Sequence, residues 1–284
     1  MLHKGIPVAE AYKPHFDRHT KFLSWSMAKS FTNAMAGILV RQGKLDINKP
    51  LAIVEWKADE RKKITMNNLL QMQSGLTWNE DYGNRSDVTL MLHCKSDMGR
   101  FAFEKSEAHP AGTYWYYSSG TTNIVTSYLR KLFENDSLYY SFANIQLFNK
   151  TGMPDAVFEV DPCGTRIGSS YLYATARDYA RFGLLYRNDG IFNGERILPE
   201  GWVNYSRSAA AASNNSYGAF FWLNRNRKLP SVPEDMYACE GHDGQRIFIL
   251  PTQDLIVVVL GYSPTSKGGM DFDRLLKDII STLN

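Results

Sequence analysis

Cysteine is scarce in this chain. Cys94, Cys163 and Cys239 are the only three among 284 residues. They lie far apart and are odd in number, so they spell neither a disulfide framework nor a zinc-ligand spacing and read as free thiols. No apolar run approaches the roughly 18 residues that a membrane helix needs. Neither sign of charge dominates: 32 basic and 29 acidic side chains leave a formal net charge of +3, too balanced to favour nucleic acid or an anionic membrane as partner. The opening MLHKGIPVAEAY lacks the apolar stretch of a signal peptide. It reads as a strand entered partway: Met1 to Lys4, a turn at Gly5, then Ile6 to Tyr12. So short a first strand is expected to follow a lost segment, which leaves the compartment open between export and cytoplasm. Gly-x-Ser-x-Gly is absent, and with it the α/β-hydrolase nucleophile elbow. His15 and His19 are four apart, but Phe16 stands where a zincin's glutamate would be, so they read as turn residues. Neither a metal nor a cofactor is expected.

What is present suffices for a sizeable core, with 44% apolar and 21% charged residues. No internal repeat or low-complexity tract occurs. Helical spacing runs from Ser26 to Gln42 through Met27, Phe31, Ala34, Met35, Ile38 and Leu39, and Gly43 stops it. Further helices are expected at Ile64 to Gln73, Ala174 to Tyr186 and Phe272 to Leu283. After about Ser216, strand-like runs take over at Tyr217 to Leu223, Met236 to Glu240, Arg246 to Leu250 and Leu255 to Tyr262. Strands at both ends and helices between them predict an α/β (α+β) fold: one antiparallel sheet flanked by terminal helices, with a mostly helical lobe inserted. As a single catalytic domain over 1–284, its α/β lobe takes about 1–30 and 205–284 and its helical lobe about 31–204. A cleft between lobes is a natural place for a site.

Ser26-Met27-Ala28-Lys29 is the only Ser-x-x-Lys in the chain. Ser26 opens a predicted helix, where backbone N–H groups favour developing negative charge. Lys29 lies three residues on, so both side chains share a helix face. A desolvated lysine there has its charged form disfavoured and, once neutral, takes the serine's proton. On letters alone, an N-cap serine followed by a surface lysine is the better explanation of the pattern.

Two further motifs decide between these readings. Tyr117-Ser118-Ser119, within GTYWYYSSGTTN, looks like the Tyr-x-Asn element of class C enzymes. His242-Asp243-Gly244, within EGHDGQRIFILP, sits where Lys-Thr-Gly occurs on a sheet strand. With Ser26-x-x-Lys29 they stand in the order of the serine β-lactamase and penicillin-binding protein superfamily, which this chain resembles from about Ile6 onward. The flanks SWSMAKSFTNAMAGILVRQGKLDINKPL, MNNLLQMQSGLTW and YLYATARDYARFGLLYRNDGIFNGERILPEGW resemble its class C-like branch. That branch includes carboxylesterases, D-amino-acid peptidases and 6-aminohexanoate-dimer hydrolases.

The resemblance implies a β-lactamase/transpeptidase-like fold and a serine hydrolase acting through an acyl-Ser26 intermediate, with Lys29 as base. Tyr117 becomes the proton relay, with Tyr116 its competitor and the Ser118-Ser119-Gly120 continuation favouring Tyr117. The backbone N–H groups of Ser26 and Gln245 become the oxyanion hole. Ser119, His242, Gly244, Trp115 and Tyr116 become substrate-binding residues, Gly244 allowing close approach of strand and substrate. Ser119 replaces a frequent asparagine and His242 a frequent lysine, with Asp243 adding negative charge. Both changes point away from β-lactams and toward a small ester or amide. Turnover-free binding and acyl transfer are the competing functions.

Overall fold

The structure, a computed structural model, describes residues 1–264 and 267–283. The two ends of the chain build one antiparallel sheet of six strands, in the order Ile6–Pro7, Leu2–His3, Leu255–Val259, Arg246–Leu250, Tyr237–Glu240 and Trp222–Leu223. Leu2 pairs with Ile256, and Ile256 in turn with Ile249. Ile247, Ile249 and Ile256 pack toward the Ala176–Arg187 helix, where Gly183 presents hydrogen to Ile256 instead of a side chain. Val257, Leu255, Leu250 and Phe248 face a smaller cluster with Leu276 of the closing Phe272–Ser281 helix. This alternation is the period of two that a sheet covered on both faces requires.

Several elements are shorter than their sequence patterns. Tyr217 to Phe221 does not extend. Phe220 takes φ 59° and donates its N–H to Leu70 O at 3.0 Å, so only Trp222–Leu223 joins the sheet. The helix expected over 64–73 is Met66–Leu70, started by a Thr65–Asn68 capping box. Leu172–Thr175 is a strand, and its helix begins only at Ala176, where Thr175 and Asp178 cap each other. The N-terminal strand divides into two two-residue pieces about Gly5.

The Ala28–Arg41 helix lies at the centre of the core. Its residues from Ala28 to Leu39 are all buried, which a helix tolerates only when packed on every side. Phe31 stacks on Phe182 at 3.6 Å, and the side chain of Asn33 is held by Tyr186, Trp202 and the Ala219 carbonyl. The residues in front of this helix are thereby fixed.

Candidate active site

A three-stranded sheet of Lys21–Leu23, Leu172–Thr175 and Val157–Phe158 delivers the chain to the start of that helix. Ser24 continues the pairing, its N–H donating to Leu172 O at 2.8 Å and its hydroxyl to Ser170 O at 3.0 Å. Then the backbone turns sharply. Trp25 takes φ 46°, a left-handed conformation that costs a bulky residue of order 1–3 kcal/mol. Trp25–Met27 form one 3-10 turn, so Ser26 does not open the α-helix as expected but stands in the tight turn before Ala28.

Lys29 is 1% exposed, which removes the surface-lysine reading. Its Nζ lies 2.9 Å from Ser26 Oγ, 3.0 Å from Ser119 Oγ and 3.1 Å from the Ser169 carbonyl oxygen. Burial disfavours the ammonium and pushes the amine down to about 8, with the charge of Glu80 pulling the other way. The ring of Tyr117 sits 4.7 Å from the same Nζ. It packs against Tyr217 and Trp222 at 5.8 and 5.3 Å. Burial holds its hydroxyl well above the usual phenol range, opposed by the neighbouring Ser26 hydroxyl.

Residues 114–117 alternate in direction. Trp115 and Tyr117 turn in toward Tyr217 and Trp222, whereas Tyr114 and Tyr116 stack outward, Tyr114 on His109. Tyr116 is 39% exposed, so Tyr117 is the tyrosine beside Lys29. Ser118 then caps the Ser119–Arg130 helix by accepting from Thr121 N–H, and this places Ser119 on its first turn. The serine in place of an asparagine still reaches Lys29.

The third motif is not on a strand. His242–Gly244 form a turn between Tyr237–Glu240 and Arg246–Leu250, with Asp243 at φ 55° and Gly244 at φ 94°. A side chain on Gly244 would be strained and would meet Ser263 Cβ at 2.9 Å. The turn itself needs this glycine, a different reason from the close approach of substrate expected above. His242 is half-exposed, pairs with Asp243 at 3.4 Å, stacks on Tyr82 at 4.8 Å and meets Trp25 edge-on at 5.3 Å. Gln245 is buried. Its side-chain amide closes the loop by donating to Gly261 O at 2.7 Å and accepting from Gly261 N–H at 2.9 Å.

Sequence reasoning missed Glu80, Trp78, Tyr82 and Ser169. Glu80 accepts from Ser119 twice, from the hydroxyl at 2.5 Å and from the N–H at 2.8 Å, and from Trp78 Nε1 at 2.5 Å. It comes from an irregular stretch after the second helix, where no periodicity or motif marks it. Among the described residues, no group of three or more His, Cys, Asp or Glu side chains is placed to hold a metal. A groove of about 700 Å³ runs between Leu2, Tyr12, Leu184, Val258 and Ile279, but it shares no residue with the Ser26 cluster and offers no nucleophile.

This arrangement, a serine in a strained turn before a core helix with a buried lysine on it, defines a class: the serine β-lactamases and penicillin-binding proteins. The chain belongs to the beta-lactamase family, whose model matches residues 1–279, and it is a serine hydrolase in the general sense of that family. It is 24% identical over 286 residues to the 6-aminohexanoate-dimer hydrolase of Paenarthrobacter ureafaciens, a match covering 90% of this chain and 70% of the relative. Its fold is similar to that of a Bacillus anthracis protein provisionally named a 6-aminohexanoate-dimer hydrolase (TM-score 0.83, 23% identity, 99% of this chain and 78% of that one). It is also similar to that of a penicillin-binding protein from Bacillus halodurans (TM-score 0.69, 18% identity, 94% and 88%).

Proposed function

We propose that the chain hydrolyses a small ester or amide through an acyl-enzyme on Ser26. The carrying observation is the 2.9 Å contact between Ser26 Oγ and a lysine amine brought down to about 8 by burial. Neutral Lys29 takes the Ser26 proton as Oγ bonds to the substrate carbonyl carbon. The backbone N–H groups of Ser26 and Gln245 receive the oxyanion. As the tetrahedral intermediate collapses, the bond to the leaving group breaks, and Tyr117 passes a proton to the departing oxygen or nitrogen. Water then cleaves the acyl ester by the reverse relay. Trp115, Ser119 and His242 are the proposed substrate contacts, whereas Tyr116 stacks outward on Tyr114 and Gly244 serves its own turn.

The substrate class follows from the same surfaces. The aromatic residues at Tyr117, Trp115, Trp25 and Tyr82 suit apolar acyl chains or short linear amides. No fixed cation occupies the position of His242 to bind the carboxylate of a β-lactam. A panel of p-nitrophenyl esters, 6-aminohexanoate dimer, D-amino-acid peptides and nitrocefin tests this, together with fluorophosphonate labelling. Labelling is expected at Ser26, with turnover of short esters and little of nitrocefin. Labelling of another serine, or full activity in Ser26→Ala, overturns the reading.

A further inference from the structure

Counting hydrogens around Lys29 gives Glu80 a role. A neutral lysine amine has two N–H hydrogens and one lone pair, but three oxygens surround Nζ: Ser26 Oγ, Ser119 Oγ and Ser169 O. Only one arrangement leaves the lone pair for Ser26, and it requires the other two oxygens to accept. The Ser169 carbonyl can do nothing else. A serine hydroxyl can donate or accept, so Ser119 has to be told which.

We propose that Glu80 is a positioning residue that fixes the polarity of the Ser119 hydroxyl and thereby aims the Lys29 lone pair at Ser26. This rests on the acyl-serine reading above. As a carboxylate, Glu80 has no hydrogen to give, so the 2.5 Å contact between Glu80 Oε1 and Ser119 Oγ has one direction: Ser119 donates. Its single hydroxyl hydrogen is committed there, and only lone pairs face Lys29 Nζ at 3.0 Å. Both amine hydrogens are then taken, by Ser119 and Ser169, and the lone pair meets the Ser26 hydroxyl. Without Glu80, the Ser119 hydroxyl is free to donate to that lone pair and to compete with Ser26 for the base.

The position of Glu80 is built. Oε2 is held by Ser119 N–H and by Trp78 Nε1. The Trp78 ring lies over Gly120, where an added Cβ would come within 2.5 Å of it. A small residue after Ser119 therefore lets the indole in, and the indole orients the carboxylate. The other titratable groups around the chain are Tyr117 and Tyr82, phenols that burial keeps neutral, and His242, which stacks on the Tyr82 ring.

The test is a double-mutant cycle read as the rate of Ser26 phosphonylation, with melting temperature measured for each protein. In Glu80→Gln the amide oxygen faces the Trp78 and Ser119 N–H donors, and the amide nitrogen donates to Ser119 Oγ, which reverses the polarity. A loss of roughly 10- to 100-fold in labelling rate is expected, the size seen for outer partners of other sites. In a Ser119→Ala background there is no hydroxyl to orient. With both rates read on the plateau above the Lys29 limb, where the lost charge of Glu80 no longer changes how much of the amine is neutral, the same substitution should change the rate less than twofold. Glu80→Ala serves in the same way if the glutamine variant does not fold. An equal loss in both backgrounds, or a wild-type rate in Glu80→Gln, overturns the inference while leaving the nucleophile in place. No labelling of Ser26 in the wild type removes the hydrolase reading, and this one with it.

Discussion

Gly241 and Ser24 are in contact across more than two hundred residues of sequence: a Cβ on Gly241 would come within 2.3 Å of the Ser24 carbonyl oxygen and 3.2 Å of Trp25 Cβ. The turn bearing His242 thus rests directly on the turn bearing Ser26. Gly241→Ala has to push them apart. It should destabilise the fold by about 1–3 kcal/mol, the usual range for overpacking, and slow Ser26 labelling. A melting curve and labelling rate that match the wild type would show that the two turns yield independently.

The pH profile should follow Lys29. The base works when neutral, so kcat/KM should rise with pH up to about 8 and level off above it. An ordinary lysine would place that limb near 10.4. In Glu80→Gln the limb should move to lower pH, because the carboxylate's charge raises the lysine in the native protein. Lys29→Arg should be inactive, since a guanidinium stays charged at neutral pH.

The same shift bears on stability. Between about 8 and the unfolded lysine's value, the unfolded chain holds a proton that the folded one has lost. Stability should therefore gain from this group as pH rises through that window and lose it as pH falls through the folded value. Lys29→Met should flatten this part of the profile in denaturant titrations at several pH values.

Tyr117→Phe keeps the ring between Tyr217 and Trp222 and removes only the hydroxyl. A kcat loss of roughly 10²- to 10⁴-fold is expected for a missing proton relay, with little change in melting temperature. A loss under tenfold would assign the relay elsewhere.

His242→Lys should raise kcat/KM for carboxylate-bearing esters relative to their neutral counterparts by about tenfold, the discrimination that about 1.4 kcal/mol provides. Unchanged selectivity would place the carboxylate end of the substrate away from this turn.

The gathering of Ser26, Lys29 and Tyr117 at one place was legible from their short local motifs, and the core helix was legible from its apolar spacing. The antiparallel terminal sheet was legible from β-branched runs separated by turns. Glu80 was not, because it contributes through one long-range contact from an irregular loop, and nothing in Trp78-Asn79-Glu80 repeats or alternates. Residues 217–221 misled for a related reason. Their aromatic run suits a strand, but the same rings are needed to wall the core around Tyr117 and Asn33, and Phe220 turns left-handed to place them. The strand pattern itself broke between Glu240 and Arg246, where the His242–Gly244 turn lies, and it was the resemblance alone that put this motif on a strand.

The pairing of Leu2 with Ile256 has a consequence for biosynthesis. During synthesis the Leu2–His3 strand waits, edge exposed, until about 250 further residues have been made, because its partner Leu255–Val259 lies that far along the chain. Local helices form and pack meanwhile, but the six-stranded sheet closes only once residues 255–259 have emerged. The turn carrying Ser26 receives its support from Gly241 in that same late step. Nascent chains stalled before residue 255 should therefore carry a formed core helix and yet no reactive serine.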